Sequence, residues 1–310
     1  MKGQKIVIFG GSGFLGRQVV QTLAREGALI RVAVRRPGLA SYQKTIGEVG
    51  QISPVYCDVS DIETVKPVLK DADIAINMVG IFFENTSQKF DNSHIKGAKN
   101  ISLCAQEYHL KRLIHISALG PKPSSKALYS KTKIKGEKSV ISTFPEATIL
   151  RPSLIFGPGE KFFTLYAKLA QLSPYLPIFG GGKTRFQPIF AGDVARAILC
   201  CLKDSSTRGH RYDLGGPDIF SFKELLKKIG DITGRQLRFI DFPFSAGYMM
   251  AKILGLFPTP LLTKDQIRLL KDHSVCSSDP NNKTLEDLGI TPTPLDLKLP
   301  GLLKAFKPRF

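Results

Sequence analysis

Three residues in the middle of the chain have the types and spacing for proton chemistry: Ser117, Tyr129 and Lys133. The run Tyr129-Ser-Lys-Thr-Lys133 reads as helix, which puts the phenol and the ammonium on one face at i and i+4. That pair suits a carbonyl reductase or alcohol dehydrogenase. Tyr129 would give or take the proton. Lys133 would lower the phenol's pKa and hold a nicotinamide ribose, and Ser117 would orient the carbonyl oxygen. A bare Y-x-x-x-K pair also occurs on ordinary helix surfaces. The order adds weight here, because a nucleotide-type turn and a strand-ending serine precede it.

That turn lies near the N-terminus. Gly10, Gly13 and Gly16 form G-x-x-G-x-x-G after the apolar strand Ile6 to Phe9, and a helix is predicted from Arg17 to Glu26. Glycines let backbone N–H groups of Gly13, Phe14, Leu15 and Gly16 approach a pyrophosphate, and the helix N-terminus adds positive potential. A plain strand–helix turn needs one glycine, not three in register.

The next elements supply the rest of a dinucleotide site. A second strand, Leu29 to Val34, ends where an adenosine ribose would lie. An acid there favours NAD, but the chain has Arg35 and Arg36, with Arg17 also in reach. Guanidiniums attract a 2′-phosphate, so the expected cofactor is NADP(H) in preference to NAD(H). The third strand, Val55 to Val59, brings Asp58 to the adenine amino group; the alternative for Asp58 is capping the helix 61–69. The fourth strand runs from Ile74 to Gly80, with Val79 and Gly80 close to the cofactor and Asn77 tying the strand end to a neighbour. A helix from His94 to Tyr108 and a fifth strand from Arg112 to Ser117 follow. Pro152 stands beside the nicotinamide in this scheme. The expected fold is α/β: a Rossmann-type doubly wound parallel sheet with a smaller C-terminal α/β lobe. The boundaries are 1–155 for the NAD(P)-binding domain and 156–310 for the lobe, with 184–202 returning to the sheet.

Composition narrows the class. The chain has 310 residues, 43% of them hydrophobic, enough for one nucleotide-binding domain and a lobe. Its five cysteines are odd in number and form no C-x-x-C pair, so neither disulfides nor a metal site is expected. The net charge of +18 is spread along the chain. With no nucleic-acid motif and no Trp, nucleic acid is not the expected partner. A solvated basic surface is the plain reading of that charge; an anionic membrane surface or an acidic protein partner is the sharper one.

The lobe is less legible. Gly180 to Arg185 is a turn with two cations. Phe222 to Thr233 reads as an amphipathic helix. The apolar stretch from Ala246 to Leu256, ended by Pro258, is broken by Lys252 and is too short to span a bilayer, which takes ~20 residues. The tail from Leu297 to Phe310 mixes Leu299, Leu302, Leu303 and Phe306 with Lys298, Lys304, Lys307 and Arg309, a pattern suited to an anionic membrane, a partner or the lobe itself.

The ordered set Gly10/Gly13/Gly16, Asp58-Val59, Asn77-x-x-Gly80, Ser117 and Tyr129-x-x-x-Lys133 resembles the extended and atypical short-chain dehydrogenase/reductases. Arg151 to Pro158 and Phe190 to Ala195 resemble further segments of that superfamily. Phe144 to Gly157, Phe186 to Phe190 and above all Leu285 to Lys298 are similar to the nucleotide-binding 39 kDa accessory subunit family of respiratory complex I. The resemblance runs over nearly the whole chain. It implies a tightly held NADPH, contact with the subunits of the peripheral arm near the membrane, and a structural role. The alternative is an NADPH-dependent reductase of a quinone-like or isoprenoid substrate. A first strand starting at about residue 5 leaves no presequence, which suits a bacterial cytoplasm, peripheral on the inner face of its membrane, with the matrix side as the eukaryotic equivalent.

Overall fold

A computed structural model describes residues 1–255, 262–277 and 282–308. The first half alternates strand and helix: β1 (Lys5–Phe9), α1 (Phe14–Arg25), β2 (Leu29–Val34), β3 (Ile52–Tyr56), α2 (Ile62–Leu69), β4 (Ile74–Asn77), α3 (Gly97–Glu107), β5 (Arg112–Ile116), α4 (Leu128–Thr143) and β6 (Thr148–Pro152). The second half adds β7 (Ile155–Phe156), α5 (Phe162–Leu172), β8 (Tyr175–Phe179), β9 (Arg185–Phe186), β10 (Ile189–Phe190), α6 (Ala191–Lys203) and β11 (Arg211–Leu214). It ends with β12 (Phe220–Ser221), α7 (Phe222–Thr233), β13 (Arg238–Phe242), α8 (Phe244–Leu254), α9 (Lys264–Leu269) and α10 (Leu295–Leu302).

Seven strands form one parallel sheet in the order β11-β6-β5-β4-β1-β2-β3. The reversal at β1/β4 puts a crevice beyond their C-terminal ends, where α/β sheets bind ligands. Alternation along β1 explains its apolar run. Ile6 and Ile8 pack under α1 and α6, while Val7 and Phe9 pack under α2, α3 and α4. Both faces of the sheet are therefore covered by helices. The smaller lobe has its own core, where Phe156, Phe163, Leu176, Phe222 and Leu226 meet Leu295, Leu299 and Leu303.

Several boundaries differ from the sequence reading. The first helix starts at Phe14 and not Arg17, because Gly13 in extended backbone (φ −71°, ψ 179°) is its N-cap. The third strand ends at Tyr56 and not Val59, where Asp58 folds into a turn on Ser60. The fourth strand ends at Asn77, whose Oδ1 accepts the Val79 N–H (3.0 Å). The expected helix 94–108 opens as a wider i→i+5 turn over Asp91–Lys96 before α3 begins. Residues 184–202 do not add a strand to the large sheet. β9 pairs with β12 and β10 with β7; α6 covers the sheet, and β11 supplies its edge strand. Leu285 and Ile290 also join the core under α1 and α6, so the doubly wound domain draws on residues well beyond 155.

The tail packs on the lobe through Leu295, Leu299 and Leu303, leaving Leu297 exposed. Its apolar face is therefore spent inside the protein. α8 behaves oppositely. Only Gly247 and Ala251 are fully buried, while Met249 and Ile253 are 71% and 65% exposed. Among the described residues no helix is long and apolar enough to cross a membrane. The readings that rest on Leu256, Pro258, Arg309 and Phe310 lie outside the described residues.

Candidate nucleotide site

The glycine turn forms the floor of the site. Gly10 has φ +78°, and a Cβ there would meet the Met78 backbone at 3.1 Å. Only glycine combines that angle with so close an approach of β4. At Gly16 a Cβ would press on the Gly11 carbonyl at 2.4 Å, so α1 can leave the turn only from a glycine. Gly13 differs. It is exposed, and its Cβ would meet nothing but the Gly10 carbonyl, at 3.2 Å. The Gly13 N–H is spent on the Gly10 carbonyl (3.1 Å) and the Arg17 N–H on the Gly13 carbonyl (3.1 Å), so the backbone N–H groups available to an anion are those of the first turn of α1, from Phe14 on.

Two residues from 37–46 hold the turn in shape. Tyr42 donates its hydroxyl to the Ser12 carbonyl (3.3 Å), and Gln43, fully buried, donates Nε2 to the Gly11 carbonyl (2.8 Å). The Arg17 guanidinium lies 5.8 Å from the Tyr42 ring centroid, a cation–π contact that aims it across the turn. Arg35 and Arg36 follow β2 directly and are exposed, and their guanidiniums make no hydrogen bond or ion pair among the described residues. The turn and the arginine pair are neighbours, since the Gly10 N–H donates to Ala33 (3.4 Å).

Asp58, expected at an adenine or as a helix cap, is engaged locally. Asp58 Oδ1 accepts from Ser60 N and Oγ (2.9 and 2.7 Å). It does not cap α2; Asp61 does, accepting the Glu63 N–H at 3.1 Å. Asp61, not Asp58, stands at the helix entry. Val59 packs its side chain against Gly97 and fixes the start of α3. Asn77 ties the strand end as expected, with its Nδ2 3.1 Å from His115 Nδ1.

Ser117, Tyr129 and Lys133, the residues expected to handle a proton, lie near the exits of β4 and β5. Lys133, buried, donates Nζ to the Ile116 carbonyl (2.9 Å), the residue before Ser117. Ser117 is buried and its N–H donates to Leu150, while Leu119 N–H donates to Pro152, so β6 and Pro152 flank the same end. A Cβ on Gly80 would lie 3.9 Å from both Lys133 Nζ and His94 Nε2. Tyr129 is held by aromatic contacts: stacked on Phe82 (5.5 Å, 11°), and edge-on to Phe90 (6.1 Å) and His94 (5.4 Å). Burial pushes its phenol pKa above the usual tyrosine value. The expected lowering by Lys133 is not seen; the ammonium instead donates to Ile116.

His94 was not singled out by sequence, where it only marked a helix start. Its Nε2 accepts the Ile81 N–H (3.1 Å) and its Nδ1 meets Thr132 Oγ1 (2.9 Å). Both ring nitrogens are thus occupied by the neutral tautomer, assigned from these bonds. Burial and the nearby Lys133 push its pKa down to about 3. His94 locks the Gly80–Ile81 backbone to α4.

Comparison with known proteins places this geometry. The model of the "NAD dependent epimerase/dehydratase family" matches residues 6–215. The chain belongs to that family. Within it, the chain is 32% identical to the mitochondrial NADH dehydrogenase [ubiquinone] 1 alpha subcomplex subunit 9 of Arabidopsis thaliana, over 94% of this chain and 75% of that one. It is 30% identical to the Mus musculus protein of the same name, over 96% and 79%. The fold superposes on the Escherichia coli NADPH-dependent quinone oxidoreductase QOR2 with a TM-score of 0.76, at 17% identity, over 97% of this chain and 100% of that one.

In this epimerase/dehydratase-family chain, the buried Lys133 offers a pH test of whether it belongs to a nucleotide site. Burial lowers its pKa to about 8, with Glu137 opposing the shift by its charge. If the cation holds a nicotinamide ribose, affinity is complete below that value and falls as pH rises through it. Titration calorimetry from about one unit below to about one unit above should show this loss, and Lys133→Met should flatten the profile. A profile that Lys133→Met leaves unchanged would remove Lys133 from the site.

Proposed function

We propose that this chain binds NADP(H) in the turn at 10–16, preferring it to NAD(H), and serves as an accessory or assembly component of respiratory complex I, with a mainly structural cofactor. The near full-length match to relatives named as complex I subunits carries the reading. The open face at Gly13 supports a nucleotide, and the unpaired Arg35 and Arg36 support a 2′-phosphate. Its partners are complex I peripheral-arm subunits. α8 supports contact with an anionic membrane surface, because Met249 and Ile253 are exposed beside Lys252. On this reading the protein is peripheral on the inner face of a bacterial cytoplasmic membrane, or on the matrix side in a mitochondrion. Affinity purification from native membranes tests it: complex I subunits and bound NADP(H) should co-purify, and recovery of neither rejects it.

The nucleotide preference has its own test. NADPH should bind at least about tenfold more tightly than NADH, since a charge-assisted bidentate contact contributes ~1.5–3 kcal/mol. Arg35→Asp combined with Arg36→Ala should erase the difference. Equal affinities in the unaltered protein would refute it.

A second reading is favoured by one observation: the buried Lys133, one turn after Tyr129 in α4, is bonded to the strand that Ser117 follows. On this reading the chain is an NADPH-dependent reductase of a quinone-like or isoprenoid substrate. Tyr129 is then the acid, Ser117 the carbonyl-orienting group and Lys133 the ribose clamp.

A further inference from the structure

The helix that carries Tyr129 and Lys133 has no cap of its own. Ala127 occupies the N-cap position (φ −72°, ψ 130°) and has no side-chain acceptor. The first backbone N–H groups of a helix need one. Here it comes from the far end of the chain. The Leu128 N–H donates to Asp265 Oδ1 (2.7 Å) and the Tyr129 N–H to Asp265 Oδ2 (2.9 Å). Asp265 stands in the first turn of α9, and its side chain is 13% exposed.

The surrounding segment is stitched to the same end of the sheet. Ser125 Oγ donates to Asp272 (2.5 Å) and accepts the Ala127 N–H (3.2 Å). Ser274 Oγ donates to the Leu119 carbonyl (2.8 Å), and Ser153 Oγ donates to the Ser274 carbonyl (2.6 Å). On the lobe side, the Ser274 N–H donates to Arg185 (2.8 Å) and the Gln187 N–H to Ser274 (3.0 Å). α9 also packs directly on α8: a Cβ on Gly247 would lie 3.1 Å from Ile267. One strap thus touches the lobe, the loop after Ser117 and the first turn of α4.

We propose that Asp265 is a positioning residue for the nicotinamide end of the nucleotide site, so that the geometry of Tyr129 and Lys133 depends on the seating of the α8–α9 pair. This rests on reading the glycine turn as an NADP(H) site. Asp265 touches neither the turn nor the arginine pair; it acts only through the backbone of α4. Its loss should therefore separate the two halves of the ligand.

The test compares Asp265→Ala, Asp265→Asn and, as a control that removes a cap elsewhere, Asp61→Ala in the full chain. NADPH and adenosine 2′,5′-bisphosphate, which lacks the nicotinamide half, are titrated by calorimetry. Asp265→Ala should weaken NADPH about five- to tenfold, the scale of a lost cap, and leave the bisphosphate unchanged. Emission of the bound reduced nicotinamide should shift toward that of free NADPH. Amide hydrogen exchange at Leu128 and Tyr129 should quicken. Asp265→Asn keeps one acceptor oxygen and should recover part of each effect; it carries the same comparison if the alanine variant does not fold. Asp61→Ala should change none of these readouts. Unchanged NADPH binding in Asp265→Ala, or equal loss of both ligands, overturns the proposal. If the unaltered protein binds neither ligand, the nucleotide reading fails by itself, and exchange at Leu128 and Tyr129 still decides whether Asp265 holds α4.

Discussion

Gly13→Val is expected to abolish NADPH binding while the protein still folds. The valine side chain has no partner to strike inside the protein except the Gly10 carbonyl, 3.2 Å from the new Cβ. It projects instead into the space where the turn would receive a pyrophosphate. Hydrogen bonds to a charged group contribute ~1.5–3 kcal/mol each, so losing two of them lowers affinity by at least about a hundredfold. The contrast with Gly10 and Gly16 is informative. There a Cβ meets backbone at 3.1 and 2.4 Å, and substitution should cost the fold as well. Thermal melts with and without NADPH separate the cases: Gly13→Val should melt near the unliganded wild-type temperature and gain nothing from added nucleotide. Bound nucleotide retained through purification of Gly13→Val would sink the assignment.

Tyr129→Phe should divide the two functional readings. The substitution removes one hydroxyl and keeps the ring among Phe82, Phe90 and His94. Lys133 keeps its bond to Ile116, so NADPH should stay bound. As a reductase the protein should lose ~10²–10⁴-fold in rate, the contribution of a general acid. As a structural component it should lose nothing, and complex I should assemble in a deletion strain complemented with Tyr129→Phe but not with Gly13→Val. Should Tyr129→Phe lower cellular quinone as far as the deletion does, with complex I assembled normally in both, the reductase reading replaces the structural one.

The elements that carry their own signal were legible in sequence. The turn at 10–16, β2 with its arginine pair, and the helix bearing Tyr129 and Lys133 follow from local periodicity and glycine spacing. α7 matches its predicted span because Ser221 and Glu224 form a capping box that writes its start. Contacts made across the chain were not legible. Nothing local marks Tyr42 and Gln43 as supports of the glycine turn, and an aspartate at 265 looks like any surface acid until it is found capping α4. His94 hid in an ordinary helical stretch, because the widened turn that points it at Tyr129 leaves no periodic trace. The tail stayed open in the sequence for a related reason. Its alternating leucines and lysines suit a lipid surface and a lobe core equally well, and packing chose the core.

The late edge strand also bears on how the chain is made. β6 is paired on one side by β5, but its other side waits for β11, and the lobe's first strands and helices are synthesised in between. Leu285 and Ile290 arrive later still to finish the layer beneath α1 and α6. Vectorial synthesis therefore presents an unpaired, apolar strand margin for as long as the ribosome takes to pass residue 214, and an open margin of that kind recruits other strands. Closure must bring distant segments together, which is slow and favours a chaperone-held intermediate. A cut at 155 would leave the large sheet without its edge strand β11 and its core without α6, Leu285 and Ile290.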